Sequence, residues 1–131
     1  MIISREAAFT CCASAGFASK VADASPYSSW EAAVSAARQA WWGLPMTEWL
    51  AAFSAHPRIG GGTGSKTGTT AFAAHSREEQ AAASSSLTPD VEAELAHWNE
   101  AYFAKFGHVF LICARGKPSP YILDCLKSRC V

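Results

Sequence analysis

The chain has 131 residues, half of them apolar and 17% charged, with Lys plus Arg and Asp plus Glu balanced at 11 each. That length fits one domain, 1–131, and the apolar share is enough for a packed core. The charge balance leaves no electrostatic footprint for nucleic acid or an anionic membrane surface, and no apolar run approaches the roughly 18 residues of a membrane span.

The N-terminal stretch MIISREAAFTCCASAGF does not read as a secretory signal, because Arg5 and Glu6 interrupt any apolar core. Trp30, Val34, Ala37 and Trp41 recur at helical spacing, with Ser28 or Ser29 as N-cap, and GLP at 43–45 stops that helix. Thr47 is expected to cap the next helix, which carries Trp49, Leu50 and Phe53. It ends near His56, since Pro57 disfavours α conformation at the residue before it. Residues 58–75 read as a long Gly- and Thr-rich loop, and Ser76 opens a helix through about Ser84. Thr88 caps a long helix with Pro89 at its first position. Val91, Leu95, Trp98, Tyr102 and Phe106 form its apolar stripe, and Gly107 ends it. HVFLICARG at 108–116 reads as an extended connection, because one strand has no sheet to join. A last helix starts with Ser119 as cap and Pro120 in its first turn. The fold class is therefore all-α, a bundle with little or no sheet.

Cys11, Cys12, Cys113, Cys125 and Cys130 are odd in number and never spaced C-x-x-C. A zinc site or disulfide framework is not expected, and a reducing interior is. The final RCV is not a peroxisomal tripeptide of the S-K-L kind.

His56 suits acid–base chemistry because imidazole titrates near neutrality, and a helix C-terminus favours its protonated form. The same residue also reads as a cap for the last carbonyls of its helix. Ser76 and Glu79 fit S-x-x-E, a capping box, and the alternative places substrate where the cap would sit, with Gln80 adding an amide. The glycine loop fails as a P-loop: in Gly64-Ser65-Lys66-Thr67 a serine separates glycine from lysine, and no strand precedes it. Arg58, Arg115 and Lys117 are candidate anion partners, Arg115 first because it follows the apolar run. Cys113 reads as a small buried hydrophobe rather than a nucleophile.

Three stretches in order, AFSAHPRIGG (52–61), SREEQ (76–80) and FGHVFLICARG (106–116), resemble the 2-oxo-4-hydroxy-4-carboxy-5-ureidoimidazoline (OHCU) decarboxylases of urate catabolism. The stretch CCASAGFASKVADASPYSSWEAAVSAARQAWW (11–42) is similar to this family too, especially its plant members, and the resemblance covers about residues 7–128. It implies an all-helical fold and a decarboxylation, without cofactor or metal, of OHCU to (S)-allantoin and carbon dioxide. The family's proton donor falls on His56, beside Pro57. Its substrate-contacting segment falls on Ser76, Arg77, Glu78, Glu79 and Gln80, with Glu79 the essential carboxylate. Leu111, Ile112, Cys113, Ala114 and Arg115 are expected to supply backbone contacts. The resemblance also implies a homodimer and a peroxisomal or cytoplasmic location, while the charge balance and the lack of an apolar span argue against a nucleic-acid or membrane partner.

Two departures stand out. Members usually continue with a further basic C-terminal helix that covers the core and contributes a basic residue near the substrate, whereas this chain stops at Val131. The alternative reading is a catalytically impaired, truncated homologue that serves as a dimerising or partner-binding module. The loop at 60–71 is also longer and richer in Gly and Thr than expected, as a lid or an insertion would be. Plant relatives often carry a fused transthyretin-like hydrolase domain, which is not found in these residues.

Overall fold

The structure is a computed structural model that describes residues 1–60 and 70–131. Among these residues all regular structure is helical, with eight α-helices and no strand, as the apolar periodicity predicted. The loop reading for 60–71 falls mostly on 61–69, outside the described residues. The chain divides into two compact units, residues 1–55 and 56–131.

The first unit holds α1 (Arg5–Cys12), α2 (Ala15–Asp23), α3 (Trp30–Trp42) and α4 (Met46–Ser54). Serine hydroxyls begin three of these helices: Ser4, Ser14 and Ser29 each accept from the amide three residues on. α1 ends at Ala13, whose φ of 53° is left-handed and whose N–H reaches the Phe9 carbonyl at 2.7 Å. α3 ends at Gly43, as the GLP signal predicted. Thr47 does not cap α4: the helix starts at Met46 after Pro45, which offers no side-chain acceptor, and it stops at Ser54.

Small side chains make this core. Ala8, Ala18, Val21, Tyr27 and Ala33 are its buried members, so the helices approach closely. The Tyr27 hydroxyl donates to the Val21 carbonyl at 2.6 Å, and the terminal amine of Met1 donates to the Tyr27 carbonyl at 2.7 Å. Trp41 sits among Phe17, Trp49 and Phe53 with ring centroids 6.1 to 6.5 Å away, and the Trp49 indole donates to the Trp41 carbonyl.

The described part of the second unit holds α5 (Thr70–Glu79), α6 (Ala81–Ser85), α7 (Pro89–Phe106) and α8 (Ser119–Cys130). Thr88 caps α7, Pro89 fills its first position, and Gly107 ends it at φ 77°, all as expected from sequence. Leu95, Ile122 and Leu126 are fully buried, and Tyr102, Phe110 and Leu123 complete an aliphatic and aromatic core. Phe106, expected on the buried stripe, is 43% exposed. Residues 107–118 form the connection without regular structure that was expected of the apolar run.

Two helix starts differ from the sequence reading. α5 begins at Thr70, so Ser76 lies inside a helix instead of opening one. Ser119 is the first residue of α8 and not its cap. Its own amide is capped from a distance by the Ser86 hydroxyl at 2.9 Å, and its hydroxyl donates back to the Ser86 carbonyl at 3.1 Å.

Candidate active site

Within residues 56–131 a narrow pocket is lined by His56, Pro57, Ile59, Ser76, Glu79, Gln80, Phe110, Leu111, Ile112 and Ala114. Three segments separated in sequence meet there: 56–59, the end of α5 with Gln80, and 110–114 in the middle of the 107–118 connection. Each brings a different chemistry. The first supplies an imidazole, the second a carboxylate, a hydroxyl and an amide, and the third an apolar wall.

The end of α5 explains the second segment. Ser76 is buried in the last turns of the helix, and Glu79 is its final helical residue. The capping-box reading of Ser76 and Glu79 is thus corrected, because S-x-x-E here closes a helix. A carboxylate at a helix C-terminus faces the negative end of the macrodipole, where local structure alone does not favour it. Such a local conflict is typical of functional positions. Gln80, at φ −90° and ψ 4°, breaks the backbone between α5 and α6, and so turns its amide into the pocket wall.

His56 is half-buried, two residues beyond the end of α4. Burial pushes its imidazole below the ordinary histidine value, because the charged form loses solvation, while the nearby Glu79 carboxylate pulls it back up. Burial is the larger effect. Burial therefore works against the protonated form that the helix terminus was expected to favour.

Of the residues expected at the site, His56, Pro57, Ser76, Glu79, Gln80, Leu111, Ile112 and Ala114 line this pocket. Arg77, Glu78, Cys113 and Arg115 do not. Arg77 and Glu78 are exposed on α5. Arg115 approaches Glu78 at 3.9 Å with both side chains two-thirds exposed, a solvated pair of little energetic weight. Cys113 is exposed, which corrects the expectation of a buried hydrophobe. In this extended stretch Phe110 and Ala114 take the buried positions, and the Cys113 carbonyl accepts from the Lys117 ammonium. Arg58 pairs with Glu100 and lies over the Phe103 ring at 5.3 Å. Among the described residues no group of His, Cys, Asp and Glu is arranged to hold a metal ion.

Sequence reasoning missed Phe110 and Ile59 as wall residues, and it missed Asn99. The Asn99 side chain is buried and donates to the Ile59 carbonyl at 3.1 Å. The available signal was a polar residue four positions after Leu95 on an apolar helix face.

The family model for OHCU decarboxylase matches residues 4–131. The chain belongs to the OHCU decarboxylase family. It is 39% identical over 119 residues to the uric acid degradation bifunctional protein TTL of Arabidopsis thaliana. That match takes in 91% of the chain but only 36% of the plant protein. A crystal structure of an OHCU decarboxylase in the presence of (S)-allantoin matches with a TM-score of 0.79 and 36% identity. It covers 98% of this chain and 80% of that one. The all-helical architecture is thus that of the family.

Proposed function

We propose that this chain is a carboxy-lyase that converts OHCU to (S)-allantoin and carbon dioxide in urate breakdown, without a cofactor. The observation that carries the reading is the meeting of His56, Ser76, Glu79 and Gln80 in one pocket of a chain of this family. The plant urate-degradation relative and the solved decarboxylase support the reading.

The chemistry follows from the meeting of His56 and Glu79 in one pocket. Loss of carbon dioxide breaks a carbon–carbon bond and leaves its electron pair on the ring, where the neighbouring unsaturated group takes it up. Oriented donors lower that barrier because they need no reorganisation. An imidazole whose charged form burial disfavours takes up a proton before it gives one, and the substrate hydroxyl is the source. The Glu79 carboxylate stabilises the imidazolium so formed. His56 then delivers the proton to one face of the ring carbon, which sets the S configuration. Ser76 and Gln80 orient the polar groups, and Phe110 and Ile112 supply apolar wall against the ring. Over the cycle the substrate carboxylate leaves as carbon dioxide and one solvent proton enters the product.

Cys113 and Arg115 keep the proposed role of backbone contacts, and Arg77 and Glu78 that of members of the substrate-contacting segment 76–80. Residues 1–131 are proposed to act as one domain, in line with the single family model that runs across 4–131. We also propose a homodimer. Trp30, Trp42 and Met46 are 65 to 73% exposed, which leaves apolar surface available, and sedimentation at micromolar concentration reads the mass. Among the described residues no helix is long and apolar enough to cross a membrane, and the proposed location is the cytoplasm or peroxisome.

The test generates OHCU in situ from urate with urate oxidase and hydroxyisourate hydrolase and follows (S)-allantoin by circular dichroism. The signal is expected well above the spontaneous background with the wild-type chain, and at background with His56→Asn. Equal rates for the two would sink the assignment of His56.

A further inference from the structure

The segment that carries His56 has no regular structure of its own, yet an acid–base side chain has to be held to a fraction of an ångström. One helix holds the residues that follow His56. Along α7, Leu95, Asn99, Glu100 and Phe103 all meet residues 58–60. Asn99 donates to the Ile59 carbonyl at 3.1 Å, and both residues are buried. Arg58 is paired with Glu100 and stacked on Phe103. Gly60 has a φ of 77°, and a Cβ there would lie 2.6 Å from Leu95 Cδ1, so the backbone rests directly on the helix. Pro57 fixes its own φ between this clamp and His56, so few torsions separate the clamped atoms from the imidazole.

Of these contacts only the Asn99 bond is both buried and directional. Arg58 is partly exposed and Glu100 largely so, and water can replace their pairing. The Leu95 contact limits approach but not rotation. A buried carbonyl that loses its donor turns to find another, and the backbone turns with it.

We propose that Asn99 is a positioning residue for the reaction, and that α7 acts through it to hold His56 against Glu79 in the pocket. This rests on the proposed decarboxylase reading, with Asn99 touching neither substrate nor the reacting atoms. Its effect is to set the depth of His56 burial and its distance from Glu79. Loss of the bond thus moves the imidazole toward water and its titration toward the ordinary value of about 6.5.

The experiment compares wild type with Asn99→Leu, which keeps the volume and removes the donor. Asn99→Asp, which replaces the donor with an acceptor, is the second variant if the first does not fold. Ile122→Val is the control, a loss of core packing in the same unit with the bond intact. Kinetics of (S)-allantoin formation and the His56 imidazole titration by NMR are both read. The expected result is a loss of about tenfold or more in kcat with KM changed less than about threefold, and a His56 titration shifted upward toward the free value. The control is expected to keep both. An unchanged His56 titration in a folded Asn99 variant overturns the proposal, as does the same kcat loss in Ile122→Val. If the wild-type chain forms no (S)-allantoin, the decarboxylase reading fails, and the titration still decides whether Asn99 holds His56.

Discussion

The two units are built on opposite packing rules. Residues 1–55 bury alanines, one valine and one tyrosine, with helix backbones brought close by what the side chains lack. Residues 56–131 bury Leu95, Ile122, Leu123, Leu126, Tyr102 and Phe110, with volume supplied by large side chains on α7 and α8. An alanine core gains little from each residue and leans on polar ties, such as Ser14 with Glu48 and Met1 with Tyr27. An aliphatic core gains more per residue and leaves its polar groups available for the pocket. The lesson is that the first unit is sensitive to enlargement and the second to truncation.

The largest effect is expected where packing and chemistry coincide. Glu79→Gln keeps the size of the pocket wall and removes the charge that favours the imidazolium. Turnover is expected to fall about 100- to 10,000-fold, with the His56 titration moving further down, since only the opposing effect of Glu79 is lost. An upward move would show that Glu79 does not act on His56 electrostatically. Next comes Leu95→Ala, which leaves a cavity between α7 and Gly60 and is expected to cost ~2–5 kcal/mol in chemical denaturation. In the first unit the reverse change is the damaging one: Ala18→Leu forces extra methylenes between helices and is expected to cost ~1–3 kcal/mol. If Ala18→Leu is tolerated while Leu95→Ala is not, the contrast between the cores breaks. Ser14→Ala, which removes the α2 cap and a donor to Glu48, is expected to cost ~1 kcal/mol.

The elements that sequence could locate are those whose signals are local. Thr88, Pro89 and Gly107 frame α7 by chemistry within a few residues, and Ser29 frames α3 the same way. What escaped is either nonlocal or ambiguous in sign. Ser76-x-x-Glu79 reads locally as a helix start, and only the start of α5 at Thr70 shows that it lies at the other end. Ser119 is capped by Ser86, 33 residues earlier, and Glu48 reaches Ser14 across 34 residues, pairings no spacing rule contains. α1 and α2 went unassigned because alanine and serine give little contrast between faces. Cys113 was misplaced by its neighbours' hydrophobicity, since an extended stretch sends adjacent side chains to opposite sides. At the pocket, His56, Glu79 and Gln80 were legible as residue types in a motif, whereas Asn99 is defined by a partner 40 residues away.

The smallest expected effect is a pH dependence that the two units share in sign but not in window. In the first, the Ser14 hydroxyl at 2.6 Å and then the Gly16 amide at 3.1 Å hold the Glu48 carboxyl below its usual range. A depressed carboxyl contributes stability above its unfolded value of about 4.3, and that contribution is lost as pH falls through the folded value. In the second, burial depresses His56. The unfolded imidazole then takes up its proton first, so stability declines as pH falls from about 6.5 toward the folded value. Melting curves between pH 7 and 3 should show two steps, both toward lower stability in acid. Glu48→Gln should shrink the lower one, leaving the part due to Glu31, whose carboxyl its own amide and then the Ser29 hydroxyl also hold down, and His56→Asn should remove the upper. If Glu48→Gln flattens the step near 6.5 instead, the assignment of each step to its own unit is wrong.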